Sequence, residues 1–124
     1  MKKVLIVDDE PALRDVVSAV LTDEGYDVVA VADGRLALDH LVHERPDLIL
    51  MDVMMPGLNG YDTFRAIRAQ TEIRHIPVVM MSAAAPQASL DPSISGYLPK
   101  PFDLERLLAM IARLIGPPSS SNPL

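Results

Sequence analysis

The chain has 124 residues and a formal net charge of −6, with 49% apolar and 23% charged residues. This size and composition suit one globular domain with a single hydrophobic core and argue against disorder. Cysteine is absent, which excludes disulfides and thiolate chemistry, and no apolar run approaches the roughly 18 residues of a membrane span. The acidic balance argues against general binding to nucleic acids or anionic membranes, since both need clustered cations. The first apolar run is too short for a signal peptide, and we predict a cytoplasmic protein.

The first strand and the first helix are predicted from a short apolar run followed by a helical repeat. Residues 4–7 suit a buried strand, and residues 8–11 (Asp-Asp-Glu-Pro) predict a helix start with a capping aspartate and acid in the first turn. Gly25 is expected to end this helix. Its predicted apolar face comprises Leu13, Val16, Val17, Val20 and Leu21.

A second strand and helix follow, and then the most apolar strand of the chain. Residues 28–31 form the second predicted strand, Asp33-Gly34 forms a turn, and the next helix stops before Pro46. The third strand runs from Asp47 to Met51 and ends on Asp52. Four consecutive apolar residues suit a strand buried on both faces of a parallel sheet, which would hold Asp52 rigidly at the sheet's carboxyl edge.

The second half repeats the alternation with one weak stretch. Asn59 is expected to cap a third helix with Phe64 and Ile67 on its inner face, and residues 78–81 form a fourth strand ending on Ser82. Residues 83–95 carry the weakest pattern, because prolines leave room for only about one isolated helical turn, which is marginal.

The chain closes with a short strand at Tyr97-Leu98, a helix capped by Asp103, and a flexible tail over residues 116–124. The last helix has an apolar stripe wide enough for part of it to serve as an interaction surface. The stripe comprises Leu104, Leu107, Leu108, Met110, Ile111, Leu114 and Ile115. The order of the elements predicts one α/β domain over residues 1–115, a parallel sheet with right-handed crossovers and helices on both faces.

Polar side chains follow every predicted strand except the second. Asp8 and Asp9 end the first strand, Asp52 the third and Ser82 the fourth, and Lys100 follows the fifth. Ligands bind at the carboxyl ends of strands in open α/β sheets, so we expect these five side chains to meet. Three carboxylates in one cleft repel each other, and oxygen-only ligands suit Mg²⁺ rather than Zn²⁺. A carboxylate, a metal, a lysine and a hydroxyl are together what phosphoryl transfer to an aspartate needs.

Four motifs, each placed after a predicted strand, carry a family resemblance. They are Val-Asp-Asp at 7–9, Asp-Val-Met-Met-Pro-Gly-Leu-Asn-Gly at 52–60, Met-Ser-Ala at 81–83 and Lys-Pro-Phe at 100–102. Through them the chain resembles the receiver domain of two-component response regulators over residues 2–115, here of the stand-alone, single-domain type. The resemblance implies a flavodoxin-like, doubly wound, five-stranded parallel sheet with strand order 2-1-3-4-5.

The resemblance also implies what the site residues do. Asp52 would be the phosphoacceptor, and Mg²⁺ would be bound by Asp52, by Asp9, by Asp8 mainly through water, and by the backbone carbonyl of Met54. The protein would then be a phosphoacceptor signalling protein rather than an enzyme, and would catalyse its own phosphorylation and slow dephosphorylation.

Three further residues have implied roles in contact and switching. Lys100 would contact the phosphoryl group across a cis Lys100-Pro101 bond, Ser82 would move toward that group, and Tyr97 would turn inward into the vacated space. This is a two-state equilibrium biased by phosphorylation.

The implied partners are a sensor histidine kinase or histidine phosphotransfer protein and an unknown downstream protein, with no direct contact to nucleic acid or membrane. The chain is expected to be a monomer or a weak homodimer, dimerising through the last helix if Leu107, Met110 and Leu114 are exposed.

Two departures from the family pattern lead to further expectations. The segment from Ser82 to Lys100 is a few residues short, which predicts a shortened or irregular fourth helix. Met54 and Ala84 lie two residues after Asp52 and Ser82, and neither side chain can orient an attacking water, which predicts slow self-dephosphorylation.

Two alternative functions remain open from the sequence. One is a phosphorylation-independent interaction domain that keeps the receiver fold. The other is a flavin-binding protein of the same layered fold, which is disfavoured because Asp8-Asp9 would repel the FMN phosphate. His40 and His43 have helical metal-ligand spacing, but with no further partner apparent an exposed helix face is favoured.

Overall fold

In a computed structural model, which describes residues 1–83 and 91–118, the chain forms a five-stranded parallel sheet covered by helices on both faces. The elements in chain order are β1 (Lys3–Val7), α1 (Pro11–Glu24), β2 (Asp27–Val31), α2 (Gly34–His43), β3 (Leu48–Asp52), α3 (Gly60–Arg68), β4 (Val78–Ser82), β5 (Gly96–Pro99) and α4 (Leu104–Ile115). The strand order β2-β1-β3-β4-β5, with every pair parallel, confirms the predicted doubly wound sheet.

The central strands are buried on both faces, and every residue of β3 and β4 is buried. Consecutive side chains of a strand point to opposite faces. Ile49 therefore belongs to the core cluster shared with α2 and α3, whereas the next residue, Leu50, belongs to the cluster shared with α1 and α4. This double burial explains the uninterrupted apolar run before Asp52.

Three helix ends agree with the sequence-based expectations. Gly25 ends α1 in the left-handed conformation, with φ of 105°, which a residue without a Cβ adopts at little cost. Asn59 caps α3 by accepting the Asp62 N–H at 2.9 Å, and Asp103 caps α4 by accepting the Arg106 N–H at 2.7 Å. These caps satisfy backbone donors that have no partner within the helix.

The predicted cap and first-turn acid of α1 were wrong. The residue preceding α1 is Glu10, which makes no side-chain cap, and the first turn of α1 contains no acid. The carboxylate of Asp8 instead accepts the Glu10 backbone N–H at 2.9 Å from within the cleft, before the helix begins. Asp33-Gly34 is more than a turn, because Asp33 accepts the Leu36 N–H at 2.9 Å and Gly34 is the first residue of α2.

The apolar face of α1 is narrower than its sequence pattern suggests, whereas the whole predicted stripe of α4 packs against the core. Val17 and Leu21 are fully buried, but Val16 is 51% exposed because successive helical residues are about 100° apart. Leu107 and Ile111 are fully buried in α4, so the stated condition for dimerisation through an exposed Leu107 is not met. The oligomeric state itself stays a prediction.

The segment before β5 agrees with the expected fold where it is described, whereas residues 116 and 118 of the predicted flexible tail are hydrogen-bonded to the domain. Residues 83 and 91–95 contain no helix, which is consistent with a shortened fourth helix; the rest of that prediction, at residues 84–90, lies outside the described residues. After α4, the Gly116 carbonyl accepts the Tyr26 hydroxyl at 3.3 Å and the Pro118 carbonyl accepts the Lys2 N–H at 2.9 Å. Within the described ranges, no helix is long and apolar enough to cross a bilayer.

Candidate functional site

The predicted site residues meet at the carboxyl edge of the sheet, where the strand order reverses between β1 and β3. Asp8 follows β1 directly, and Asp52 and Ser82 are the last residues of β3 and β4. The register makes these ends level, since Val7 pairs with Met51. Lys100 follows β5 and donates its backbone N–H to the Ser82 carbonyl at 2.8 Å. Parallel pairing therefore brings together side chains that are distant in the sequence.

Three carboxylates form an acidic group in this cleft. Oxygen atoms of Asp8, Asp9 and Asp52 lie within 4.8 Å of one another. Asp8 is fully buried, Asp52 is 4% exposed, and Asp9 is exposed. Burial, and next the charge of Asp8, raise the pKa of Asp52 to about 6, although Lys100 acts in the opposite direction. The concentrated negative charge and the oxygen-only ligands fit a hard divalent cation such as Mg²⁺.

Lys100 is the cation that pairs with the carboxylates of the site, and its side chain is only 15% exposed. Its Nζ lies 2.9 Å from Asp8 Oδ2, 3.2 Å from Glu10 Oε1 and 3.4 Å from Asp52 Oδ1. Burial alone would lower the pKa of Lys100, but the hydrogen bond to Asp8 and the charge of Asp52 raise it overall. The ammonium group is therefore retained at neutral pH. The Lys100-Pro101 peptide bond is cis, as the resemblance implied.

The loop after β3 packs its backbone tightly against Asp52. A Cβ atom at Gly60 would lie 2.3 Å from the Asp52 carbonyl oxygen and 2.8 Å from Val53 Cα, so only glycine fits there. The Gly60 N–H donates to the Val53 carbonyl at 2.9 Å, and the Met54 N–H donates to Asp52 Oδ1 at 3.4 Å. The Met54 side chain is 72% exposed, and metal binding by its carbonyl stays a prediction.

Of the two predicted switch residues, Ser82 lies at the cleft and Tyr97 packs against the core. Ser82 is buried at the end of β4. The partly buried Tyr97 ring packs against the core cluster under α3. Its hydroxyl is buried without a well-formed hydrogen bond to any described residue, and burial, followed by the neighbouring Tyr61 hydroxyl, raises its pKa. The movements of Ser82 and Tyr97 on phosphorylation stay predictions.

Two residues of the site were missed by reasoning from the sequence. Glu10 was assigned to the helix start, but its carboxylate pairs with Lys100. Arg14 was given no role, yet its Nη1 donates to the Asp8 carbonyl at 2.8 Å and anchors the loop that carries the acids. Their spacing of four residues at the start of α1 could have indicated that both lie on the same side as the cleft, since residues four apart lie on one face of a helix.

The alternative metal position on α2 receives no support from the described part of the chain. His43 is exposed and His40 is half-buried. Neither belongs to a group of three side chains able to hold a metal ion among the residues that the structure describes.

The sequence profile of the response regulator receiver domain matches residues 4–112, so the chain belongs to this family of two-component signalling domains. It is 37% identical over 118 residues to the DNA-binding response regulator MtrA of Mycolicibacterium smegmatis, covering 91% of this chain and 50% of that protein. The chain therefore spans about half the length of the curated relatives that it matches.

Two solved structures show the same likeness in three dimensions. The chemotaxis response regulator CheY4 of Vibrio cholerae is 36% identical with a TM-score of 0.84, covering 92% of this chain and 98% of that chain. The receiver domain of the sensor histidine kinase PA1611 from Pseudomonas aeruginosa is 38% identical with a TM-score of 0.85, covering 93% and 98%. The latter contains a magnesium ion coordinated in its active-site cleft.

Proposed function

We propose that this chain is a phosphoacceptor switch in which Asp52 accepts a phosphoryl group from a histidine kinase or histidine phosphotransfer protein. The carrying observation is the convergence of Asp8, Asp9 and Asp52 within 4.8 Å, with Lys100 Nζ 3.4 Å from Asp52 Oδ1. Membership in the receiver family supports the same function. The output in this proposal is a contact with a downstream protein, without direct contact to nucleic acid.

The proposed step is an in-line transfer to a carboxylate. One Asp52 oxygen forms a bond to phosphorus while the bond from phosphorus to the donor's histidine nitrogen breaks, and the nitrogen keeps the electron pair. A pKa of about 6 leaves Asp52 mainly ionised at neutral pH, as a nucleophile must be. Mg²⁺ held by Asp8, Asp9 and Asp52 would neutralise charge on the phosphoryl oxygens. The Lys100 ammonium and the Ser82 hydroxyl supply donors for those oxygens.

The surface beside the cleft offers a place for the donor protein. An apolar groove of about 530 Å³ lies between α1 and the loop from β5 to α4, next to Lys100. It is lined by Glu10, Leu13, Val16, Val17, Ala83, Lys100, Pro101, Phe102 and Leu104. A protein that delivers a phosphoryl group to Asp52 must cover the opening of the cleft and so contact the adjoining surface. In this proposal the half-exposed Val16 belongs to that contact.

The remaining elements of the proposal concern lifetime and context. The exposed Met54 side chain has no acid or base, which supports slow self-dephosphorylation. The corresponding argument for Ala84 lies outside the described residues. A phosphoryl lifetime of only seconds would contradict this part. A receiver domain over residues 1–115, a tail over 116–124 and a cytoplasmic location belong to the same proposal.

The test compares the wild type with Asp52→Asn and with Asp39→Asn, an equal charge change at an exposed position of α2. Each protein is incubated with Mg²⁺ and acetyl phosphate and followed by intact mass, and with beryllofluoride and followed by NMR. The proposal expects an adduct that needs both Mg²⁺ and Asp52, with shifts reaching Ser82 and Tyr97. A wild type that forms no adduct would overturn it and favour an interaction domain independent of phosphorylation.

A further inference from the structure

The Lys100 ammonium lies among three carboxylates and donates hydrogen bonds to two of them. Asp8 accepts at 2.9 Å and Glu10 at 3.2 Å, while Asp52 Oδ1 lies at 3.4 Å. An ammonium group has three donors and no more. A phosphoryl oxygen that approaches Lys100 must therefore compete with these carboxylates for its donors.

Glu10 differs from the other two partners of Lys100. It is not part of the acidic group formed by Asp8, Asp9 and Asp52. Its side chain is 64% exposed, whereas that of Asp8 is fully buried. Removing the partner of a buried carboxylate is expensive, but an exposed carboxylate regains most of its lost interaction from water. The bond to Glu10 is therefore the one that Lys100 gives up most easily.

Glu10 also lies where an anion would enter the site. Its carboxylate is at the exposed rim of the same cleft, beside the apolar groove next to Lys100. An incoming phosphodonor brings negative charge toward a cleft that already contains three other acids. Like charges at this range repel, and the repulsion is weakened by salt because this rim is exposed.

We propose that Glu10 is a positioning residue that occupies one donor of Lys100 and repels anions at the rim, and so slows phosphoryl transfer from small anionic phosphodonors. The inference rests on the proposed function of Asp52. In the reaction with acetyl phosphate, an Asp52 oxygen bonds to phosphorus, the bond from phosphorus to the acetate oxygen breaks, and acetate leaves with the electron pair. Lys100 stays in the cleft when Glu10 is neutralised, because Asp8 still holds it.

The experiment measures the initial rate of Asp52 phosphorylation by acetyl phosphate, at saturating Mg²⁺ and low donor concentration, by intact mass. Glu10→Gln should react roughly two- to fivefold faster than the wild type, the factor that an exposed ion pair of ordinary strength contributes. The difference should shrink toward none at about 1 M salt, where charges are screened within about 3 Å. Glu10→Asp keeps the charge and should react more slowly than Glu10→Gln. Glu24→Gln, an equal change at the exposed far end of α1, should match the wild type.

The outcomes separate this inference from the function on which it rests. Equal or slower transfer by Glu10→Gln, with wild-type transfer intact, overturns the role of Glu10 alone. If Glu10→Gln reacts faster than the wild type by the same factor at high salt, the electrostatic basis of this role is overturned. A wild type that accepts no phosphoryl group overturns the proposed function and this inference together. Urea unfolding of each variant verifies that the compared proteins are folded.

Discussion

Replacing Asp52 with asparagine should stabilise the metal-free domain at neutral pH. Burial and the charge of Asp8 raise the pKa of Asp52 from its ordinary value of 3.8 to about 6. The folded state therefore binds this proton more tightly than the unfolded chain, so the ionised side chain destabilises the fold above pH 6. The penalty disappears below about pH 4, where both states carry the proton.

The size of the effect follows from the shift. Each pKa unit corresponds to about 1.4 kcal/mol, which gives roughly 3 kcal/mol for the full shift of Asp52. The side chain is not fully dry, and asparagine also loses the ion pair with Lys100 at 3.4 Å. We therefore expect Asp52→Asn to gain about 1–3 kcal/mol at pH 8 and close to nothing at pH 4.

The assay is urea unfolding in EDTA, followed by far-ultraviolet circular dichroism because the chain has no tryptophan. The wild type, Asp52→Asn and Asp39→Asn are compared at pH 4, 6 and 8. Asp39 lies exposed on α2, so its substitution controls for the change in net charge. Equal stability of Asp52→Asn and the wild type at pH 8, or a gain that does not shrink on acidification, would refute the reasoning.

Three further predictions concern the same cleft. In thermal scans, Mg²⁺ should raise the unfolding midpoint of the wild type but barely that of Asp52→Asn. At about a hundredfold excess of Mg²⁺ over its Kd, the gain in free energy of unfolding should be about 2.7 kcal/mol. Equal gains for both proteins would contradict a site built on Asp52. Gly60→Ala should lower stability by more than about 2 kcal/mol, because its Cβ meets backbone, while Gly57→Ala, at φ of 73° in open space, should lose only about 1 kcal/mol in urea unfolding. Lys100→Met should lower the free energy of unfolding in EDTA by about 2–4 kcal/mol, since it leaves buried Asp8 without its cation. If Mg²⁺ in place of EDTA does not reduce this loss, the result would argue against a site that Lys100 and Mg²⁺ share.

The fold was predictable because its central strands, β3 and β4, have an uninterrupted apolar signal. Residues buried on both faces leave no room for polar positions, and each such run ended at a site residue such as Asp52 or Ser82. The motif pattern then predicted which ends meet. Individual contacts were less predictable. From the sequence, the Asp8 side chain could either cap the first helix or point into the cleft, and its position in the cleft depends on Lys100 from the other end of the chain. Residues 84–90 lie outside the described part of the chain.

The charge balance of the cleft predicts the order in which its ligands bind, with the metal before the phosphodonor. Four carboxylates, those of Asp8, Asp9, Glu10 and Asp52, outnumber the two cations described at the site, Lys100 and Arg14. An anionic phosphodonor that enters this arrangement meets net repulsion, whereas a divalent cation meets net attraction. A bound cation also lowers the raised pKa of Asp52 and so keeps its carboxylate ionised for attack. The repulsion that destabilises the metal-free domain is thus the reason that acceptance of a phosphoryl group should depend on prior binding of metal.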